Sequence, residues 1–245
     1  MQEQAYEDYR IYTESNRVYH EAQQTLGNVV RDYAATLKKP NIQAFEIGCG
    51  FGDTTVQILN ADSRILLFSG DKDPNMFTET NKRLILEGIK PNRVYYLQND
   101  AVQSMKFLRN GCIDIVASAQ TIHNFPNDGE GSKQDCYIEI ARILTPGGLF
   151  VNADKYVHGN PDEYRAGIAR RMAEFAEYAF QHRSSEKARE AITRWYEHLI
   201  HDIQPERIMH LDTAIQQLTE AGFVDIKTVW SKELEVVLTA LKGGK

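Results

Sequence analysis

No apolar run in this chain approaches the ~20 residues that cross a bilayer. Its first ten residues, Met1 to Arg10, are too polar and charged to read as a secretory leader. Cysteine is scarce: Cys49, Cys112 and Cys136 form an odd, scattered set without a C-x-x-C pair. Neither a disulfide framework nor a metal site follows from them, and a cytoplasmic location is expected. Basic charge is also short. Lys and Arg number 28 against 34 Asp and Glu, a net charge of −6, which argues against a broad phosphate-gripping surface without excluding nucleic acid as a partner. No repeat, low-complexity tract or linker divides the 245 residues, so one domain with helical additions is expected.

What is present is an alternation of strands and helices between residues 41 and 155. Apolar, β-branched runs at Ile42–Ile47, Arg64–Gly70, Arg93–Gln98, Ile113–Ala119 and Gly148–Ala153 read as strands. Helical spacing fills Thr54–Asn60, Pro74–Gly88, Val102–Asn110 and Lys133–Leu144, the last closed by Pro146-Gly147-Gly148. Such alternation predicts an α/β three-layer sandwich with a parallel sheet covered on both faces. After it, a helix at Leu211–Ala221 precedes two strands, Val224–Trp230 and Glu233–Ala240, joined by a Ser231-Lys232 turn as an antiparallel pair at a sheet edge. Two helical segments lie outside this core: residues 1–40, rich in Tyr, and an insertion at 156–208.

The richest stretch is Glu46-Ile47-Gly48-Cys49-Gly50-Phe51-Gly52, set between the first strand and a helix. Glycines at alternate positions leave backbone bare, so a ligand can lie against main-chain N–H groups above a helix N-terminus. A dinucleotide pyrophosphate asks for a third glycine where this chain has Asp53, which disfavours NAD. Asp71 closes the second strand, where an acid accepts two ribose hydroxyls or else caps a helix, work that Asp73 could do equally well. Asp100 closes the third strand with the same two roles open. Glu46, before the glycines, is expected to contact the cationic end of a ligand, directly or through water.

The chain resembles the class I S-adenosylmethionine-dependent methyltransferases. The likeness rests on E-I-G-C-G-F-G at 46–52, G-D-K-D-P-N-M at 70–76, N-D-A at 99–101, D-I-V-A-S-A-Q-T-I-H-N-F-P at 114–126, R-I-L-T-P-G-G-L-F-V at 142–151 and L-x-x-A-G-F at 218–223. It implies a Rossmann-like fold with a seven-stranded, mostly parallel sheet whose last strand is antiparallel. It also implies S-adenosylmethionine as cofactor and S-adenosylhomocysteine as product. The cofactor would lie on Gly48, Gly50 and Gly52, with its ribose on Asp71, its adenine beside Lys72, Asp100 and Ala101, and its methionine near Ala119 and Gln120.

A small-molecule acceptor is the leading expectation, in a pocket closed by the N-terminal helices and the 156–208 cap, with a homodimer as a possible assembly. Tyr6, Tyr12, Tyr19, Asp154 and Lys155 are the candidate acceptor contacts; Tyr pairs an apolar face with one hydroxyl. His123 serves either as general base or as a group that orients the ligand. Alternatives are a tRNA-modifying or carboxy-S-adenosylmethionine-related enzyme, with Arg165, Arg170, Arg171, Arg183, Lys187 and Arg189 as a basic face, and a non-catalytic cofactor-binding protein. Ala119-Gln120-Thr121-Ile122 stands where a D/N-P-P-Y/F tetrad would mark adenine or glutamine N-methylation.

Overall fold

The computed structural model describes residues 2–204 and 208–244. Helices α1 (Gln2–Ser15) and α2 (Arg17–Thr36) lead into strand β1 (Ile42–Ile47), followed by α3 (Asp53–Ala61), β2 (Ile65–Asp71), α4 (Pro74–Leu86), β3 (Val94–Gln98), α5 (Ala101–Lys106) and β4 (Ile113–Ala119). Next come α6 (Lys133–Ile143), β5 (Leu144–Lys155), α7 (Pro161–His182), α8 (Ser185–Asp202), α9 (Leu211–Glu220), β6 (Phe223–Lys232) and β7 (Glu235–Lys242). The sheet order is β3-β2-β1-β4-β5-β7-β6, with β1 to β5 parallel and β7 antiparallel to both its neighbours. Strand order reverses between β1 and β4, which opens a crevice at their carboxyl ends. Apolar side chains fill both faces: Phe45, Val116 and Phe150 on one, Ala44, Ile115 and Val151 on the other. That two-sided burial explains why these strands read as continuous apolar runs.

The expected fold is present, with four local differences. The C-terminal hairpin turns at Glu233-Leu234, because β6 runs on through Lys232 to pair with Glu235. Leu234 is buried against Val157 and Tyr164, so the turn is anchored by packing and carries no polar turn signal. Of this pair β6 is the edge strand, and β7 lies inside, between β5 and β6. Helix α5 stops at Lys106, short of the expected Asn110, because the Arg142 guanidinium donates to the carbonyls of Met105 and Leu108 and ends the helix there. Leu144 already pairs with Ile113, ahead of the Pro146-Gly147-Gly148 segment expected to end α6.

Helix α2 begins at the N-cap Asn16, whose side chain accepts from the Tyr19 N–H at 3.0 Å. Its buried stripe, Ala22, Leu26, Val30 and Ala34, packs on the sheet. Helix α1 instead lays Ile11 and Tyr12 against Phe175, Ala191 and Trp195 of α7 and α8. Among the described residues no helix is long and apolar enough to cross a membrane.

Candidate active site

A cavity of about 880 Å³ opens at the carboxyl ends of β1 to β4, where strand order reverses. The glycine loop forms its floor. Gly48 has φ +75°, and a Cβ there would stand 2.4 Å from Thr121 Oγ1, so β4 and the loop approach as closely as backbone allows. Gly50 has φ +48°, and a Cβ there would meet no protein atom within 4 Å. Since Gly50 lines the cavity, that free space is part of it. Asp71 crosses from β2 to accept from the Gly50 N–H at 3.1 Å through Oδ2 and from the Asp73 N–H at 3.0 Å through Oδ1. A carboxylate has about four acceptor positions, so Asp71 holds the loop and still has capacity for a ligand hydroxyl. Asp73, not Asp71, caps α4 by accepting from the Asn75 N–H.

Farther along the wall lie Lys72, Asp100 and Ala101. Asp100 caps α5 through Oδ1, at 2.9 Å from the Val102 N–H, so capping and cavity lining fall to the same residue. Ala119, Gln120 and Thr121 line the opposite side.

Glu46 is set back from the cavity wall. Its carboxylate accepts from Thr55 Oγ1 at 2.7 Å and from Ser69 Oγ at 2.7 Å and is fully buried, so it ties β1 to α3 and β2 and stands outside the cavity lining. Burial pushes this carboxyl up from 4.5 to about 7, against the lowering effect of the two hydroxyls. Between about pH 4.5 and 7 the folded protein therefore holds a proton on Glu46 that the unfolded chain has released. This contribution to stability is full below pH 4.5 and is lost as pH rises through about 7. Glu46→Gln stays neutral at every pH, so its stability relative to wild type should climb between about pH 4.5 and 7, by up to about 3 kcal/mol. Superimposable pH–stability curves for the two proteins would refute this reading.

Gly52 also stands behind the wall, as the residue before α3. His123, Asp154 and Lys155 form a buried group under the β4–β5 rim, outside the cavity lining. Asp154 accepts from the His123 N–H at 3.3 Å and from the Lys155 N–H at 2.9 Å, and its Oδ1 lies 2.7 Å from His123 Nδ1. Burial alone would raise the Asp154 carboxyl, but His123 and Lys155 bring it below its usual value. One carboxylate thus pins the His123 ring and the backbone of the short 3-10 turn Ile122–Asn124; Thr121, before the turn, and Asn124, its last residue, do line the cavity.

The tyrosines divide. Tyr19 lines the cavity and donates to Asp53 Oδ2 at 3.2 Å. Tyr6 does not line it; its hydroxyl donates to Asp73 at 2.7 Å and its ring meets Phe51 edge-on. Tyr12 is turned into the α1–α7–α8 interface, where its hydroxyl accepts from Arg171 Nη1. In its place Tyr9, one turn earlier on α1, lines the cavity and stacks on Phe51 at 5.0 Å. Desolvation pushes the Tyr9 and Tyr19 hydroxyls well above their usual pKa, so both stay protonated donors. Tyr9 was legible only as one of five N-terminal tyrosines; choosing among them needs the helix rotation, which α7 and α8 set. Those cap helices contribute no lining residue among the described ones. They hold α1 and do not wall the pocket.

Residues 45–152 match the family model described as a methyltransferase domain. A demethylmenaquinone methyltransferase of Leptospira interrogans is 27% identical over 121 residues, 49% of this chain and 46% of that protein. In structure the chain is similar to the CurJ carbon methyltransferase, with a TM-score of 0.61 and 16% identity over 91% of this chain and 54% of that one. It is also similar to the Haemonchus contortus phospholethanolamine N-methyltransferase 2 in complex with phosphomonomethylethanolamine and S-adenosylhomocysteine, with a TM-score of 0.56 and 15% identity over 89% of this chain and 52% of that one. The chain spans about half the length of these relatives. The match to a methyltransferase domain thus spans residues 45–152, and the seven-stranded sheet matches the Rossmann-like methyltransferase fold.

Proposed function

We propose that the protein transfers the methyl group of S-adenosylmethionine to an oxygen or nitrogen of a small acceptor, held between the glycine loop and α1. The observation that carries this reading is one continuous cavity running from Asp71 and Asp100, past the open flank of Gly50, to the hydroxyl-bearing rings of Tyr9 and Tyr19. The residues fit the cofactor: Asp71 for the ribose, Asp100 and Ala101 for the adenine, Ala119 and Gln120 for the methionine portion. When bound, the cofactor supplies a methyl carbon already electrophilic on its sulfonium. The chain's own work is to orient the acceptor and exclude water, which lowers a barrier by several kcal/mol without a Lewis acid.

Asp71→Ala should weaken S-adenosylhomocysteine binding by roughly 1–3 kcal/mol, the usual loss for a charged hydrogen-bond acceptor, in a folded protein. Unchanged affinity by calorimetry would remove Asp71 from the ribose site. In this reading His123 orients the turn instead of acting as base, because it lies behind the wall on Asp154. His123→Asn should then cost less than about tenfold in kcat, whereas loss of a general base costs about 10²–10⁴-fold.

Charge favours a small acceptor over RNA. Arg165, Arg170, Arg171 and Arg183 each pair with a carboxylate, Asp162, Glu233, Glu235 and Asp8 respectively, so most of the supposed basic face is neutralised.

A further inference from the structure

Past the open flank of Gly50 the cavity wall turns aromatic. Tyr9 of α1, Tyr19 of α2 and Phe51 of the glycine loop all line it. Tyr9 and Phe51 stack with ring centroids 5.0 Å apart and planes 16° apart, and the Tyr9 and Tyr19 hydroxyls are hydrogen-bonded neighbours. An aromatic ring is negative over its faces and attracts a cation there. The carboxylate at this end is Asp53, the first residue of α3, which also lines the cavity. Its Oδ2 accepts from the Tyr19 hydroxyl at 3.2 Å. Its Oδ1 lies 3.7 Å from Arg83 Nη2, a guanidinium that sits closer to Glu87, at 3.1 Å, and outside the cavity lining. Asp53 therefore keeps both charge and acceptor capacity for a ligand.

These groups discriminate between oxygen and nitrogen as the methyl acceptor. Desolvation above all keeps the Tyr9 and Tyr19 phenols protonated, so neither can take a proton from an alcohol. An alcohol ionises only near water's value of about 15.7, whereas an alkylammonium loses its proton near about 10.4. Nitrogen thus reaches its reactive form without a strong base. A phenol ionises as readily as an ammonium, but its anion would face Asp53 and the negative ring faces, which repel it. An amine enters as a cation, which both features attract, and reacts as a neutral molecule, which neither repels.

We propose that the acceptor is an aliphatic amine, captured in its ammonium form between Tyr9, Phe51 and Asp53. The inference rests on the functional reading above and narrows its acceptor to nitrogen. The ammonium gives one proton to the Asp53 carboxylate, and the freed lone pair forms the new N–C bond. The C–S bond breaks with its electron pair passing to sulfur, so sulfonium becomes neutral thioether. The product is again an ammonium, one methyl richer, and Asp53 returns its proton to solvent.

The probes for this site are choline and its uncharged carbon isostere, dimethylbutanol, in which a tert-butyl group replaces the trimethylammonium. Each is titrated into the full chain saturated with S-adenosylhomocysteine and followed by its methyl NMR signal. Wild type should bind choline at least about tenfold tighter than dimethylbutanol, as for a desolvated cation on aromatic faces. Tyr9→Leu should bring that ratio below about threefold, whereas Tyr9→Phe, which restores the ring without the hydroxyl, should keep it. Asp53→Asn should lower the ratio by about threefold or more. If Tyr9→Leu fails to fold, Phe51→Leu gives the same readout. A merely structural Tyr9 would weaken both probes together and leave the ratio unchanged, which would overturn the proposal. Equal affinities in wild type, or no binding of choline, would overturn it too. Aromatic faces that serve the sulfonium instead would show as a loss of preference for S-adenosylmethionine over S-adenosylhomocysteine in Tyr9→Leu with the choline ratio intact, again against the proposal. Failure of wild type to bind S-adenosylhomocysteine would overturn the functional reading on which the inference stands.

Discussion

Gly50→Val is expected to show no binding of S-adenosylhomocysteine at concentrations that saturate the wild type. Two effects act together. At φ +48° a β-branched side chain is strained, at a cost of about 1–3 kcal/mol. The larger effect is occupancy: a Cβ at this position meets no protein atom within 4 Å, so the isopropyl group would enter the cavity over the glycine loop, the volume proposed for the cofactor. Gly88 is the control, because it also has a positive φ, +69°, and open space around it, but lies outside the cavity. Gly88→Val should lose comparable stability and keep normal binding. Tight binding by folded Gly50→Val would mean that the loop does not carry the cofactor.

Removal of residues 1–16 is expected to reduce methyl transfer at least about 100-fold while S-adenosylhomocysteine affinity falls no more than about tenfold. Helix α1 supplies Tyr9 to the cavity, stacked on Phe51, so without it the acceptor end opens to water. The sheet does not depend on α1: α2 covers it with its own stripe, Ala22 through Ala34. The cap does depend on it. Ile11 and Tyr12 fill the α7–α8 cluster, and Asp8, buried in α1, accepts from Arg194 Nε at 2.6 Å and Arg183 Nη1 at 3.2 Å. Burying one large apolar side chain is worth about 1.5–3 kcal/mol, so the cap should loosen before the sheet unfolds. Hydrogen exchange should show lost protection in α7 and α8 with β1, β4 and β5 unchanged. Full activity in the truncated protein would mean that α1 is peripheral to catalysis.

Much of the fold was legible because its cause is local. Ile42–Ile47 and Ile113–Ala119 are apolar on both faces, and their strand bounds follow from the run itself. The convergence of Gly48, Asp71, Asp100 and Ala119 on one cavity was legible for a similar reason: in a doubly wound sheet all four fall at strand ends, and strand ends meet at the point of reversal. What escaped depends on long-range packing. The hairpin turn at Glu233-Leu234 is set by Leu234 packing against Val157 and Tyr164, some 70 to 77 residues away in the chain. The choice of Tyr9 over Tyr12 follows from which face of α1 the cap takes. Glu235 carries no local mark at all: it reads as an ordinary charge at the start of a strand, and its partners are Gln120 and Arg171, which lie 115 and 64 positions away. His123 was conspicuous in sequence for its chemistry, yet Asp154 directs it into the rim.

The central claim is that the glycine loop and Asp71 hold an S-adenosyl ligand. Calorimetric titration of the full chain with S-adenosylhomocysteine, and separately with NAD, tests it most directly. The account predicts one saturable site for S-adenosylhomocysteine, weakened by Asp71→Ala and lost in Gly50→Val, with no heat of binding for NAD. Saturable binding of NAD, or S-adenosylhomocysteine binding that neither substitution alters, would contradict it.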